Sequence, residues 1–142
     1  MKFKHLCITL ALACSAAAVT AAPADDSLYL ALGGGPGIAS LTTDLVARLK
    51  ADPRIGSFFK DTKPKHLADQ LRDQFCELAG GPCKLDSDGM RATHEDLKIH
   101  AADFNRLVEV LQQTMDDHGI AFSTQNRLLA LLAPMHREIV AR

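Results

Sequence analysis

A chain of 142 residues that is 47% hydrophobic but only 5% aromatic holds enough Leu, Ala and Val for one compact core and too little for a second domain. Its formal charge is −1, and once Lys2 and Lys4 are removed with the leader described next, 14 basic residues face 17 acidic ones, a net of −3. Nucleic acid is therefore excluded as an expected partner.

Met1 to His5 carries Lys2 and Lys4, the apolar run Leu6 to Ala13 follows, and small residues continue to Ala22. Charged, apolar, then small is the order of a secretory signal. Val19-Thr20-Ala21 sets small residues where a signal peptidase needs them, which predicts a signal peptide over 1–21, a tether over 22–27 and one domain over 28–142. The apolar run is shorter than the roughly 20 residues that cross a bilayer, so no membrane span is expected. Ala11-Leu12-Ala13-Cys14 is the alternative, a lipoprotein-type site that would leave Cys14 lipidated at the head of the tether. Export to the periplasm removes Cys7 and, with cleavage after Ala21, Cys14. Cys76 and Cys83 remain around Gly80-Gly81-Pro82, and an oxidising compartment favours a disulfide between them over two separate thiols. CxxC spacing is absent, which speaks against a zinc clasp and a thioredoxin-type pair.

From Ser27 onward the apolar spacing is helical and nothing alternates as a strand would, so the domain is expected to be all-α. A short helix at about Leu28 to Leu32 ends at Gly33-Gly34, and Pro36 suits the first turn of a second helix with Ile38, Leu41, Leu45 and Leu49 inward. Asp52-Pro53 stops that helix, since proline cannot continue the hydrogen-bond ladder. Phe58-Phe59 anchors the turn. Thr62 is expected to cap a third helix with Leu67, Leu71, Phe75 and Leu78 inward, ended by Gly80-Gly81. After a loop over Cys83 to Gly89 come a short segment, Met90 to Leu97, and two longer helices. Ala101 to His118 turns Phe104, Leu107, Val108, Leu111 and Met115 inward. Ser123 to Val140 does the same with Leu128, Leu132, Met135 and Ile139.

Enzyme motifs are scarce. Gly33-Gly34-Gly35-Pro36-Gly37 resembles a phosphate cradle but follows a helix, lacks the Lys-Ser/Thr of a P-loop and loses a donor at Pro36, so it reads as a joint between helices. Neither HExxH nor CxxCH occurs. Six histidines are present; His5 leaves with the leader, and His100, His118 and His136 are expected at the surface near helix ends. His94 shares one helical face with Met90 and Leu97 at i, i+4 and i+7 spacing, which permits a ligand in an apolar pocket and equally permits a packed histidine.

Leu28-Tyr29 to Leu32-Gly33-Gly34, then Ala51-Asp52-Pro53-Arg54-Ile55 with Phe58-Phe59, Phe75 before Gly80-Gly81-Pro82, Met90 with His94, Ile99, Asp103-Phe104, and Leu131-Leu132-Ala133-Pro134 together resemble the group I truncated haemoglobins. The likeness runs from Leu28 to Val140. It implies a two-over-two helical sandwich, non-covalent haem b, and His94 as the proximal iron ligand. Phe59 falls where the family packs a phenylalanine on the haem face, and Phe75, Met90, Ile99, Phe104 and Val108 match apolar positions around the porphyrin. The distal side departs from the family. Val46 stands where many relatives place a tyrosine, and Leu67 and Leu71 where they often place glutamine. Gln70 and Gln74 are the nearby amides that could replace those donors, and His66 is expected at the surface.

Three functions follow as alternatives: a haem protein that reversibly binds a diatomic gas, oxygen, carbon monoxide or nitric oxide; a haem enzyme or a six-coordinate electron-transfer protein with an unidentified redox partner; or an exported helical adaptor without haem. No acid-base residue can be placed at the iron from sequence, which favours the first. No long apolar stripe demands a partner, so a monomer or weak dimer is expected.

Overall fold

The computed structural model describes residues 25–141; the expected signal peptide and Cys14 lie outside them. Among the described residues there are helices and turns and no strand. The helices are α1 (Ser27–Ala31), α2 (Gly34–Ala51), α3 (Pro64–Leu78), α4 (Met90–His94), α5 (Ala101–Asp117), α6 (Phe122–Leu132) and α7 (His136–Ile139). Single 3-10 turns fill Gly56–Phe59, Glu95–Leu97 and Ala133–Met135.

Two helix pairs form the body. The pair α2 and α3 packs along its length, α5 and α6 make the second pair, and α2 meets α5 while α3 meets α6. The all-helical expectation holds, in two pairs laid one over the other. Ile38, Leu41, Leu45 and Leu49, spaced three and four apart, put one continuous stripe of α2 in the core, where Leu111, Met115 and Leu128 close over it at 0% exposure. Two buried threonines do not break this stripe, because Thr42 and Thr114 return their hydroxyls to the carbonyls of Ala39 and Val110.

The glycine run is a joint, as its sequence implied. Gly33 takes a φ of 88° between α1 and α2, and a Cβ on Gly37 would sit 2.4 Å from the Leu32 carbonyl oxygen, so only glycine lets the two helices cross here. Asp52 ends α2 in an extended conformation and accepts the amides of Arg54 and Ile55, while Arg106 of α5 binds its other oxygen at 2.8 and 2.9 Å.

Three sequence expectations are corrected. The helix expected over Ser123 to Val140 breaks into α6, a 3-10 turn and α7, because Pro134 cannot donate to the ladder and its ring crowds the preceding turn. Thr62 does not cap α3; the N-cap is Lys63 with no side-chain bond, Pro64 begins the helix, and the Thr62 carbonyl instead accepts from Lys50 Nζ at 2.9 Å. Met90 to Leu97 is one α-turn followed by a 3-10 turn rather than one helix.

Candidate functional site

A cavity of about 610 Å³ opens between the two helix pairs, within the range of roughly 300–1,000 Å³ typical of cofactor sites. Its walls are mostly apolar. α2 contributes Leu45 and Leu49, the following turn Ile55, Phe58 and Phe59, α3 Leu67, Leu71 and Phe75, and α5 Phe104, Leu107, Val108 and Leu111. Met90, Leu97, Ile99, Leu132, Met135 and Ile139 complete them.

His94, at the end of α4, is the half-buried imidazole in this lining. Its Nδ1 lies 2.6 Å from the Met90 carbonyl oxygen one turn earlier. A carbonyl only accepts, so Nδ1 carries the proton and Nε2 keeps its lone pair. That is the form of imidazole that binds a metal, with the ring oriented by its second nitrogen. A flat apolar macrocycle carrying a metal fits such a donor in such a cavity. α4 is in turn held by α7, which it packs against.

The turn carrying Phe58 and Phe59 is tied down from below. Lys50 Nζ donates to the carbonyls of Phe59 and Thr62, the first of which also accepts the Thr62 amide at 3.2 Å. From sequence Lys50 reads as an ordinary cation in the last turn of α2, so this role had no signal.

The polar residues of the lining are unevenly placed. Thr62, His66 and Gln70 come from the start and outer edge of α3, with His66 exposed and Gln70 half-buried. Asp86, Ser87 and Asp88 come from the loop before α4 and Asp103 from α5, and among the described residues no lysine or arginine lines the cavity. Gln74 is buried at 7% exposure, and its Nε2 approaches the sulfurs of Met135 and Met90 at 3.1 and 3.7 Å.

Phe59, Leu67, Gln70, Leu71, Phe75, Met90, His94, Ile99, Phe104 and Val108, singled out in the sequence, all line the cavity, as does Gln74. Val46 does not. It is buried at 1% exposure but absent from the lining, because the Leu45 and Leu49 face points to the cavity and the next residue is turned about 100° away. His66, expected at the surface, is exposed and still edges the cavity. His136 is not a surface residue: half-buried, it sets its ring edge-on to Phe104 with centroids 5.0 Å apart. His100 caps the N-terminus of α5 in a reciprocal pair with Asp103, and His118 at the other end lies 2.8 Å from Asp44. Cys76 and Cys83 are joined in a disulfide with their Cα atoms 5.7 Å apart.

Comparison with known proteins agrees with this geometry. The profile of the family described as bacterial-like globin matches residues 27–141. The chain is 29% identical over 134 residues to a group 1 truncated haemoglobin of Chlamydomonas moewusii, covering 89% of this chain and 77% of that protein. Its fold matches the crystal structure of the truncated haemoglobin of Tetrahymena pyriformis in the Fe(III) form with a TM-score of 0.77 at 23% identity, covering 81% of this chain and 98% of that one. The 2/2 haemoglobin of Synechococcus, solved in the cyanomet state with covalently attached haem, matches with a TM-score of 0.76 at 21% identity and the same coverage.

Proposed function

Because the chain belongs to the bacterial-like globin family, as a group I two-over-two globin, we propose that its cavity holds a haem b non-covalently through His94 and reversibly binds a diatomic gas. The observation that carries this reading is the His94 imidazole, held by the Met90 carbonyl in the tautomer that leaves Nε2 as a metal donor, in the wall of a mostly apolar cavity. When bound, haem would supply an iron, held by His94, that can take up a small gas molecule.

The chain's own residues divide the remaining work. Phe59, Leu71, Phe75, Phe104 and Val108 supply the apolar walls that exclude water from the ring. Thr62, His66 and Gln70, the polar edge free of carboxylates, would receive the ring's two carboxylates, which the charge of Asp86 and Asp88 would repel. On the distal side Leu67 and Leu71 donate nothing, and Gln74 is engaged by Met90 and Met135, so a bound gas meets few hydrogen-bond donors. Removal of residues 1–21 on export to the periplasm is part of the same reading, and the Cys76–Cys83 bridge suits that oxidising compartment.

The test is the absorption spectrum of the purified chain in ferric, ferrous and CO forms. A Soret band that His94→Ala abolishes or shifts is expected; no Soret band after haem addition, or an identical one in His94→Ala, overturns the proposal. Extraction into acidified butanone separates free haem from the covalent attachment described for the Synechococcus protein. A second reading rests on His66 at the cavity edge: as a sixth ligand it would give a low-spin ferrous spectrum that His66→Ala converts to high spin.

A further inference from the structure

One wall of the cavity is a loop. The strap from Cys83 to Gly89 has no helix or strand of its own, and most of its residues are exposed, yet it brings Leu85, Asp86, Ser87 and Asp88 to the cavity before running directly into the α4 turn that ends at His94. Ordering an exposed irregular segment costs backbone entropy at every residue, so something must hold it.

Three attachments do, and all reach the last turns of α3. The Leu85 amide donates to Glu77 Oε2 at 3.0 Å, Lys84 Nζ lies 3.0 Å from Glu77 Oε1, and Cys83 is bonded to Cys76. The lysine side chain is 86% exposed, so its ion pair is screened by solvent and holds little. The disulfide is the covalent attachment, and it is placed against the cavity: Cys76 directly follows Gln74 and Phe75, two buried residues of the opposite wall. The bridge therefore clamps the strap to the helix that lines the other side of the same space.

We propose that the Cys76–Cys83 disulfide is a redox-operated latch on the cavity, which retains the bound group when oxidised and releases it faster when reduced. The proposal rests on the haem reading for the identity of that group. Cys83 on the strap is partly exposed while Cys76 is buried at 1% exposure, so an external dithiol attacks the Cys83 sulfur and Cys76 leaves as the thiolate. The donor's second thiol then resolves the mixed disulfide; the donor becomes a disulfide, and two electrons and two protons end on Cys76 and Cys83. The strap is left with the Glu77 contacts alone.

The experiment follows transfer of haem from the haem-loaded chain to excess apomyoglobin, read at the Soret band, for the oxidised protein, for the same protein reduced by dithiothreitol and freed of reductant without air, and for Cys83→Ala. Release on the order of tenfold faster is expected in the reduced form and in Cys83→Ala, and reoxidation restores the slow rate, since the bridge limits opening of the loop it closes. Equal rates for all three overturn the latch. Circular dichroism confirms that Cys83→Ala keeps its helices, and the reduced native chain provides the same comparison without a substitution. Hydrogen exchange at the Leu85 amide in the haem-free chain separates the two readings. Faster exchange on reduction with no haem uptake in any form sinks the haem reading but keeps the latch, whereas unchanged exchange removes the latch whatever binds.

Discussion

Leu71→Gln is the most direct test of the distal chemistry. Leu71 is half-buried, lines the cavity, and lies one helical turn from Leu67 and from Phe75. In the native protein the buried amide on this helix is committed elsewhere, with Gln74 Nε2 3.1 Å from the Met135 sulfur. A glutamine at 71 is close to leucine in size, so the wall keeps its shape and gains a donor facing the ligand space. A hydrogen bond to a polarised partner is worth about 1.5–3 kcal/mol, which is roughly one to two decades in affinity. The expected result is oxygen dissociation about 10–100-fold slower than native, measured by stopped-flow displacement with CO, while CO dissociation moves by less than about threefold. Some stability is lost, because an amide placed in an apolar wall costs about 1–3 kcal/mol where it finds no partner in the haem-free state. A Leu71→Gln oxygen rate within about twofold of native, with the Soret band intact, would refute the account of a donor-poor distal wall.

Gly81→Ala is expected to cost about 1–3 kcal/mol or more in urea unfolding, because its Cβ would stand 2.5 Å from the Tyr29 ring and 2.7 Å from the Cys76 sulfur; a native midpoint would show that this joint can give. Replacing Cys76 and Cys83 by serine opens a loop of sequence separation 7, for which chain entropy gives a loss of about 2–3 kcal/mol in the same assay. Arg106, with the amides of Arg54 and Ile55, holds the Asp52 carboxyl below its usual value of 3.8 against the opposing effect of burial. A folded-state pKa below the unfolded one means the stabilisation is complete above the unfolded value and is lost as pH falls through 3.8 toward the folded value. The thermal midpoint of native protein should therefore drop below about pH 4 more steeply than that of Asp52→Asn, and parallel profiles would count against the Arg106 pairing.

The helical stripes were legible because burial imposes a period on the sequence. Ile38, Leu41, Leu45 and Leu49 announce α2, and Leu67, Leu71 and Phe75 announce the cavity face of α3, since each set can be buried on one side of a helix only. Local punctuation was legible where it removes a hydrogen bond, as at Asp52-Pro53. At Pro134 a strong apolar period over Leu128, Leu132, Met135 and Ile139 masks the break that the same rule imposes; the 3-10 turn that holds the proline and the short helix after it keep that face inward without being one helix with α6. Long-range partners left no local trace. Nothing near Lys50 in the chain indicates that it serves two carbonyls beyond Asp52, and nothing near Glu77 indicates that it receives the Leu85 amide across the disulfide turn.

The distal side shows why a position match alone can mislead. Val46 aligns with a donor position by resemblance, yet here it packs away from the cavity while Leu45 and Leu49 face it, so restoring a tyrosine at 46 would bury a hydroxyl in the core. Gln74, the one buried amide among the expected donors, directs its Nε2 hydrogens to two thioethers, which are weak acceptors. The polar groups that remain, Thr62, His66 and Gln70, lie toward the solvent edge, where water competes for every bond they make. A donor at such an edge contributes less than the same donor in a dry wall, because the exchange with water cancels most of the gain. It follows that Gln70→Leu should change oxygen dissociation less than Leu71→Gln does. The reverse order would place the effective hydrogen bond at the edge and make Gln70 the distal donor.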